Sequence, residues 1–385
     1  MWGTTRLSRL LASLPGDVGY KELMSLNYSV PRQLGLLLMA AFLLLEPAPV
    51  FPKGDFQIQR LFGPEIPTGK YKHPASFDEL ANGDLYLVYY GGDGEYAEGT
   101  AVFGSRLKKG RAWTKPAKIA SHPFRSLGNA VVWQAPDGLV WLFYVTRYGA
   151  TWSTSRIAAK VSRDSAGSWS ESFPVTFEEG TMVRAHPIVL ANGEYLLPIY
   201  SETGHNPELT APTTCSLFLR FDPVKRIWSE SNRVYSRLGN LQPAVVRVDD
   251  QRLLAYCRRG GDYEPRRDGF LVRTESLDGG RTWTPGKETS FPNPNAAVDF
   301  IRLRNGHLLL VYNDSMNDRT PLSLALSTDL GQTFPHRRNL VSGPGDFGYP
   351  TAVQTRDGKI HVVFTSDERT VVRHAVFEET FVLTP

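Results

Sequence analysis

The chain has 385 residues, of which 41% are hydrophobic, 21% charged and 11% aromatic, a composition that excludes a disordered, collagenous or coiled-coil protein. The net charge of +4 comes without a basic block, so no nucleic-acid partner is expected. Two cysteines, Cys215 and Cys257, exclude a disulfide scaffold and a Cys-rich zinc site; they read as two separate buried thiols, with one bond between them the alternative in an exported protein.

The first recognisable element is apolar. Residues 34–45 read LGLLLMAAFLLL, with Arg32 before them and Glu46-Pro47-Ala48-Pro49 after. Twelve apolar or small residues are too few to span a bilayer as a helix, but they suit the core of a signal peptide. Residues 1–50 are therefore expected to be a targeting segment, cleaved or kept as an anchor, that meets the membrane during export. A short buried helix is the alternative. Secretion or periplasmic residence follows for residues 51–385.

One pattern then recurs six times. His73-Pro74-Ala75 runs on to Leu85–Tyr89, Asn129-Ala130-Val131 to Trp141–Tyr144, and His186-Pro187-Ile188 to Tyr195–Tyr200. Gln242-Pro243-Ala244 runs to Leu253–Tyr256, Asn295-Ala296-Ala297 to Leu308–Tyr312, and Tyr349-Pro350-Thr351 to Ile360–Phe364. Between the two apolar runs stand Asn82-Gly83, Asp137-Gly138, Asn192-Gly193, Asp249-Asp250, Asn305-Gly306 and Asp357-Gly358. Such dipeptides predict hairpins, and a type I′ turn there needs φ > 0 at both central residues. A second motif follows in phase, complete in Ser276–Trp283, nearly so in Ser327–Phe334 and looser in Ser162–Trp169. Its Asp can bond turn N–H groups while the aromatic packs beneath, so it reads as structural and not as a calcium site. Hairpins repeating at about 55 residues predict an all-β, six-bladed β-propeller, with a strand from residues 55–61 closing one blade.

The innermost strand of each blade lines a central channel. The first residues of the six repeats, His73, Asn129, His186, Gln242, Asn295 and Tyr349, should converge there, and all are polar or polar-tipped. Convergent polar groups on rigid strands are what a ligand site requires.

Asp-box turns on six such repeats resemble the sialidase (neuraminidase) superfamily, in its bacterial-type BNR-repeat branch. The resemblance covers residues 60–380. It is most specific at Asn293–Asp299, Arg319-Thr320-Pro321-Leu322 and Tyr349–Thr355. It implies an exo-acting glycoside hydrolase on terminal acidic sugars. An arginine triad would hold the substrate carboxylate, a tyrosine helped by a glutamate would be the nucleophile, and an aspartate the acid/base. By that resemblance Tyr349 matches the tyrosine, and Arg258 and Arg319 match two arginines. Asp93, then Glu95, are candidates for the acid in Gly91–Glu98. The first arginine falls on Lys72, which keeps the charge but loses the bidentate fork. The glutamate falls on Gln242, which cannot act as a base, so His73 or His186 would have to assist. Asn129, Asn295 and Asp299 are expected to contact substrate or to support an arginine.

Two other readings stay open. His186 or His73 as base, Tyr349 as acid and Arg258 on a uronate would suit a polysaccharide lyase. A non-catalytic propeller could instead bind a glycan or a protein. No cofactor and no metal is expected, and a glycan, acidic in the leading reading, is the expected partner of a monomer. Asn313-Asp314-Ser315 is a glycosylation sequon, usable in a eukaryotic secretory path.

Overall fold

The computed structural model of the chain describes residues 56–384 except 208. The expected targeting segment lies outside these residues. What is described is a six-bladed β-propeller of antiparallel sheets. Blade 1 begins at Tyr71–Glu79, blade 2 at Ser126–Gln134, blade 4 at Asn240–Arg247, blade 5 at Asp299–Arg302 and blade 6 at Gly348–Gln354. The inner strand of blade 3 is broken into Thr181–Val183 and Ile188–Val189. The ring closes through the N-terminal strand Gln57–Phe62, which pairs with Val371–Phe377 as the outermost strand of blade 6.

The alternation of the repeats explains the core. Apolar side chains of successive blades interdigitate, as Leu309, Val311 and Leu324 of blade 5 do with Val362 and Phe364 of blade 6. The hairpins form where the Asn-Gly and Asp-Gly pairs stand, but with a different turn. Only the glycine is left-handed, with φ 85° at Gly83, 88° at Gly138 and 93° at Gly306. Gly83 N–H donates to Leu80 O at 2.8 Å, and Leu80 N–H to Asp84 O at 2.8 Å. That is a type I turn followed by a glycine bulge, and it needs one positive φ instead of two. Asn82 stays right of the barrier because its Oδ1 takes the Asp84 N–H at 3.1 Å, a local bond that stabilises the turn.

The Asp-box turns are built as the sequence implies. Asp278 Oδ1 accepts the Arg281 and Thr282 N–H groups at 3.0 and 2.9 Å, and its Oδ2 accepts the Thr282 hydroxyl at 2.6 Å. Trp283 then stacks on Phe218 of blade 3, with centroids 3.7 Å apart. Carboxylates also stitch blades near the axis. Asp299 of blade 5 accepts Ala352 N–H of blade 6 at 2.6 Å and Phe300 N–H at 3.0 Å. Asp78 of blade 1 accepts Gln134 N–H of blade 2 at 2.8 Å.

Two sequence features resolve simply. Cys215 and Cys257 are both free and buried. The sequon does not present an acceptor: Asn313 is fully buried, and its Nδ2 donates to Phe347 O at 2.8 Å and Pro321 O at 3.2 Å.

Asp299→Ala removes the acceptor for two buried N–H groups at the seam of blades 5 and 6. It should lower unfolding stability by about 1–3 kcal/mol in chemical denaturation. An unchanged midpoint would show that apolar packing alone holds that seam.

Candidate active site

The cleft is made by an unusual backbone. In blades 1, 2, 4 and 6 the pairing of the first two strands slips by one residue, at His73-Pro74, Asn129-Ala130, Gln242-Pro243 and Tyr349-Pro350. Each slip is a β-bulge, which bends the strand and re-aims a side chain. Asn129 (φ 41°), Gln242 (53°) and Tyr349 (56°) are left-handed, and so is Asn295 (57°) at the entry of blade 5. Non-glycine residues in that region cost on the order of 1–3 kcal/mol each and cluster at functional sites. His73, Asn129, Gln242 and Tyr349 line one cleft with Glu95, Glu202, Arg258 and Tyr263.

Tyr349 is the centre of this arrangement. Its hydroxyl accepts a hydrogen bond from Arg258 Nη1 at 2.8 Å. The guanidinium carbons of Arg319, Arg184 and Arg258 lie 5.2, 5.6 and 5.9 Å from its ring centroid. Burial alone would push the phenol pKa up. Arg258, then Arg319 and Arg369, outweigh burial and bring it down to about 8. The His73 ring meets Tyr349 edge-on at 4.0 Å, and its Nδ1 lies 2.8 Å from Thr365 Oγ1. Burial, reinforced by the neighbouring arginines, keeps that imidazole neutral.

Arg258 is held from several sides. Nε donates to Asn295 Oδ1 at 2.6 Å, Nη1 to Gln242 Oε1 at 3.1 Å, and Nη2 to Tyr263 OH at 3.2 Å. With the bond to Tyr349, four of its five N–H donors are occupied. Its geometry thus serves the phenol more than a ligand. Asn295 and Gln242 orient Arg258, and Asn129 donates to Tyr200 OH at 3.0 Å beside them. Arg319 makes one long bond to Asn295 O at 3.4 Å and keeps more of its fork for an anion.

Several expected residues stand elsewhere. Lys72 is fully buried and donates Nζ to Gly69 O at 2.5 Å and Ile66 O at 3.4 Å, so it does not enter the cleft. Asp93 is exposed and off the cleft walls, whereas Glu95 lines them. His186 sits in the break of the blade 3 inner strand and shares a hydrogen bond of 3.1 Å with Ser76. With Asp299 and Asp78 it lines a separate cavity of about 350 Å³ on the channel. Burial and Arg184 take its pKa down to about 4. His186 and Asp299 therefore belong to the channel wall and not to the cleft around Tyr349.

Two functional candidates escaped the sequence reading. Glu202 follows the second strand of blade 3 (Tyr195–Ser201) and lines the cleft. Burial pushes its carboxyl up to about 7, with Arg258 opposing and Glu95 adding to the shift. No motif marks Glu202: counted from the start of the second strand, Tyr200 stands in blade 3 where Arg258 stands in blade 4, and the glutamate comes two residues later. Arg369 lies in the hairpin after the second strand of blade 6 (Ile360–Ser366). Its carbonyl accepts Lys72 N–H at 2.9 Å, and its Nη1 pairs with Glu95 Oε2 and reaches Tyr71 OH at 3.4 Å. A guanidinium from blade 6 thus stands beside the site where the resemblance placed one from blade 1. Among the described residues no group of His, Cys, Asp and Glu side chains could hold a metal ion.

A family model described as the BNR repeat-like domain matches residues 83–362. No curated protein matches the chain. Among solved structures, a Hadza microbial sialidase aligns over 85% of this chain and 69% of its own, at 14% identity and TM-score 0.71. The NanB sialidase from Streptococcus pneumoniae aligns over 86% of this chain and 72% of its own, at 11% identity and TM-score 0.70. An α-L-arabinofuranosidase from Fusarium graminearum aligns over 86% of this chain and all of its own, at 12% identity and TM-score 0.62. At these identities the likeness is one of fold.

The cationic surroundings of Tyr349 predict a phenol that ionises near pH 8. Difference absorbance during alkaline titration should show one early tyrosine that Tyr349→Phe removes. Arg258→Ala should move it upward by about a unit or more, because a nearby cation favours the phenolate. An unmoved titration in Arg258→Ala would mean that Arg258 does not set the acidity of the phenol.

Proposed function

The chain belongs to the BNR repeat-like domain family, and we propose that its axial cleft is the active site of a sialidase-like exo-glycosidase acting on terminal acidic sugars. The observation that carries this reading is the acidified Tyr349 phenol, bonded to Arg258 and flanked by Arg319. A tyrosine is a weak nucleophile at its ordinary pKa near 10, and lowering that value activates it. An exported location, inferred from the apolar segment 34–45, suits a glycan substrate.

The residues divide the work as follows. Arg319, with Arg369 beside it, receives the sugar carboxylate by charge-assisted bonds. The Tyr349 phenolate attacks the anomeric carbon as the glycosidic C–O bond breaks. Glu202, still protonated near neutrality, gives its proton to the leaving oxygen. A water then attacks the tyrosyl–sugar bond, Glu202 takes the water proton, and Tyr349 leaves as phenolate. Gln242 supports Arg258 and carries no proton.

A second reading has its own observation. His73 Nε2 is buried and has no hydrogen-bond partner among the described residues. A neutral imidazole beside Tyr349 could take the proton next to a uronate carboxylate, with Tyr349 protonating the leaving oxygen. Such an elimination leaves an unsaturated sugar that absorbs in the ultraviolet. Its appearance during digestion of a polyuronate would replace hydrolysis by this reading.

The sign of the pH dependence follows from two groups. Rate requires the Tyr349 phenolate, which grows as pH rises toward about 8. It also requires protonated Glu202, which is lost as pH rises through about 7. The profile of kcat/KM on a natural sialoside, whose leaving oxygen needs that proton, should peak between these values. Glu202→Gln should lower kcat/KM about 10²–10⁴-fold on a natural glycoside, and much less on an aryl glycoside whose leaving group needs no proton. Equal losses on both substrates would remove Glu202 as the acid.

A further inference from the structure

Glu95 is placed oddly for a proton donor. Its Oε2 sits on Arg369 Nη1, and its Oε1 accepts the Trp152 indole N–H at 3.2 Å. It lines the cleft. We infer that Glu95 is an internal stand-in for the substrate carboxylate: in the empty protein it occupies the guanidinium of Arg369, and an incoming carboxylate displaces it. This inference rests on the acidic-substrate reading for its ligand, but the exchange itself concerns any carboxylate.

The two partners differ in how firmly they are held. Arg369 is the last of three left-handed residues, Asp367 (φ 54°), Glu368 (53°) and Arg369 (64°). That turn is closed by Thr370 N–H and the Thr370 hydroxyl on Asp367 O, at 3.1 and 2.7 Å, and by Glu368 N–H on Asp346 Oδ1 at 3.1 Å. Lys72, itself fixed by Gly69 O and Ile66 O, holds the Arg369 carbonyl with its N–H. Glu95 lies in the loop after the strand Leu85–Gly92, between Gly94 and Gly99. A Cβ added at either glycine would meet nothing within 4 Å, so the loop has room on both sides of Glu95. The guanidinium is the fixed member and the carboxylate the movable one.

The energetics permit exchange. The side chains of Arg369 and Glu95 are 24% and 26% exposed, so water reaches the pair. Solvent that reaches an ion pair screens it and weakens its hold. A sugar carboxylate that bonds Arg369 and Arg319 together would exceed that hold. It offers the chemistry that Glu95 already supplies, two acceptor oxygens with one negative charge. Displacement would also break the Trp152–Glu95 bond, so the indole N–H reports the event.

The experiment follows the Trp152 indole N–H resonance of the full chain, assigned with Trp152→Phe, during titration with sodium acetate and with N-acetylneuraminic acid. Wild type, Glu95→Gln and Arg369→Ala are compared, and calorimetry gives the affinities. Exchange predicts that either carboxylate shifts the wild-type resonance and that Arg369→Ala abolishes the shift. It also predicts that Glu95→Gln binds the carboxylate about two- to fivefold more tightly, because the internal competitor loses its charge. Equal or weaker binding by Glu95→Gln would overturn the inference, since Glu95 would then be a support that positions Arg369. A resonance that neither carboxylate moves would overturn it as well. If acetate exchanges and the acidic sugar does not bind, the exchange stands and the acidic-glycan reading falls.

Discussion

The cleft depends on a backbone that side-chain-bearing residues ordinarily avoid. Asn129, Gln242, Asn295 and Tyr349 all hold left-handed φ values, three of them inside β-bulges. In a regular strand their side chains would alternate across the sheet and meet the neighbouring blade. The bulge turns them along the axis, where six blades give them common ground. The strain is sustained by the rest of each blade, through the pairing of the inner and second strands and the apolar seams between sheets. Arg184 secures the bulge of blade 6 directly, donating to Pro350 O at 2.7 Å and Thr351 Oγ1 at 3.1 Å.

Charge then accumulates around one phenol. Three arginines lie within 6 Å of the Tyr349 ring centroid, and Arg369 adds its field from blade 6. Buried cations are costly unless paired or bonded. Arg258 meets that cost with amide and phenol partners, Arg184 with backbone carbonyl, hydroxyl and the nearby charge of Asp299, and Arg369 with Glu95. Arg319 has the fewest bonds of the set. The site is thus arranged to gain from an added anion, and the tyrosine is the protein's own group closest to becoming one.

The sequence reached the architecture because the repeat is long and regular. Asn-Gly turns and Asp boxes mark blade boundaries by local chemistry, and six repeats leave one fold. The turn type was misread because an Asn-Gly pair serves a type I turn with a glycine bulge as well as a type I′ turn. Residue roles were legible only where the repeat stayed regular. His186 falls in a broken inner strand and drops to the channel wall, and Asp299 lies deeper in its strand and spends both oxygens on backbone N–H groups. Lys72 turns beneath the surface to hold other backbone. Glu202 was not legible, because aligning the second strands of blades 3 and 4 puts Tyr200 at the place of Arg258 and leaves Glu202 two residues beyond it. Arg369 was not, because it reaches Glu95 of the cleft wall from a hairpin with no motif, across the seam between blades 6 and 1.

The most direct test of a cation-activated Tyr349 is chemical capture. An acidic glycosyl fluoride carrying a second fluorine beside the anomeric carbon slows breakdown of any glycosyl–protein bond. Digestion and mass analysis after quenching should find one sugar mass on the peptide that contains Tyr349, with much less in Arg258→Ala. Complete turnover of the fluoride with that peptide unmodified, or the sugar on another residue, would contradict the account.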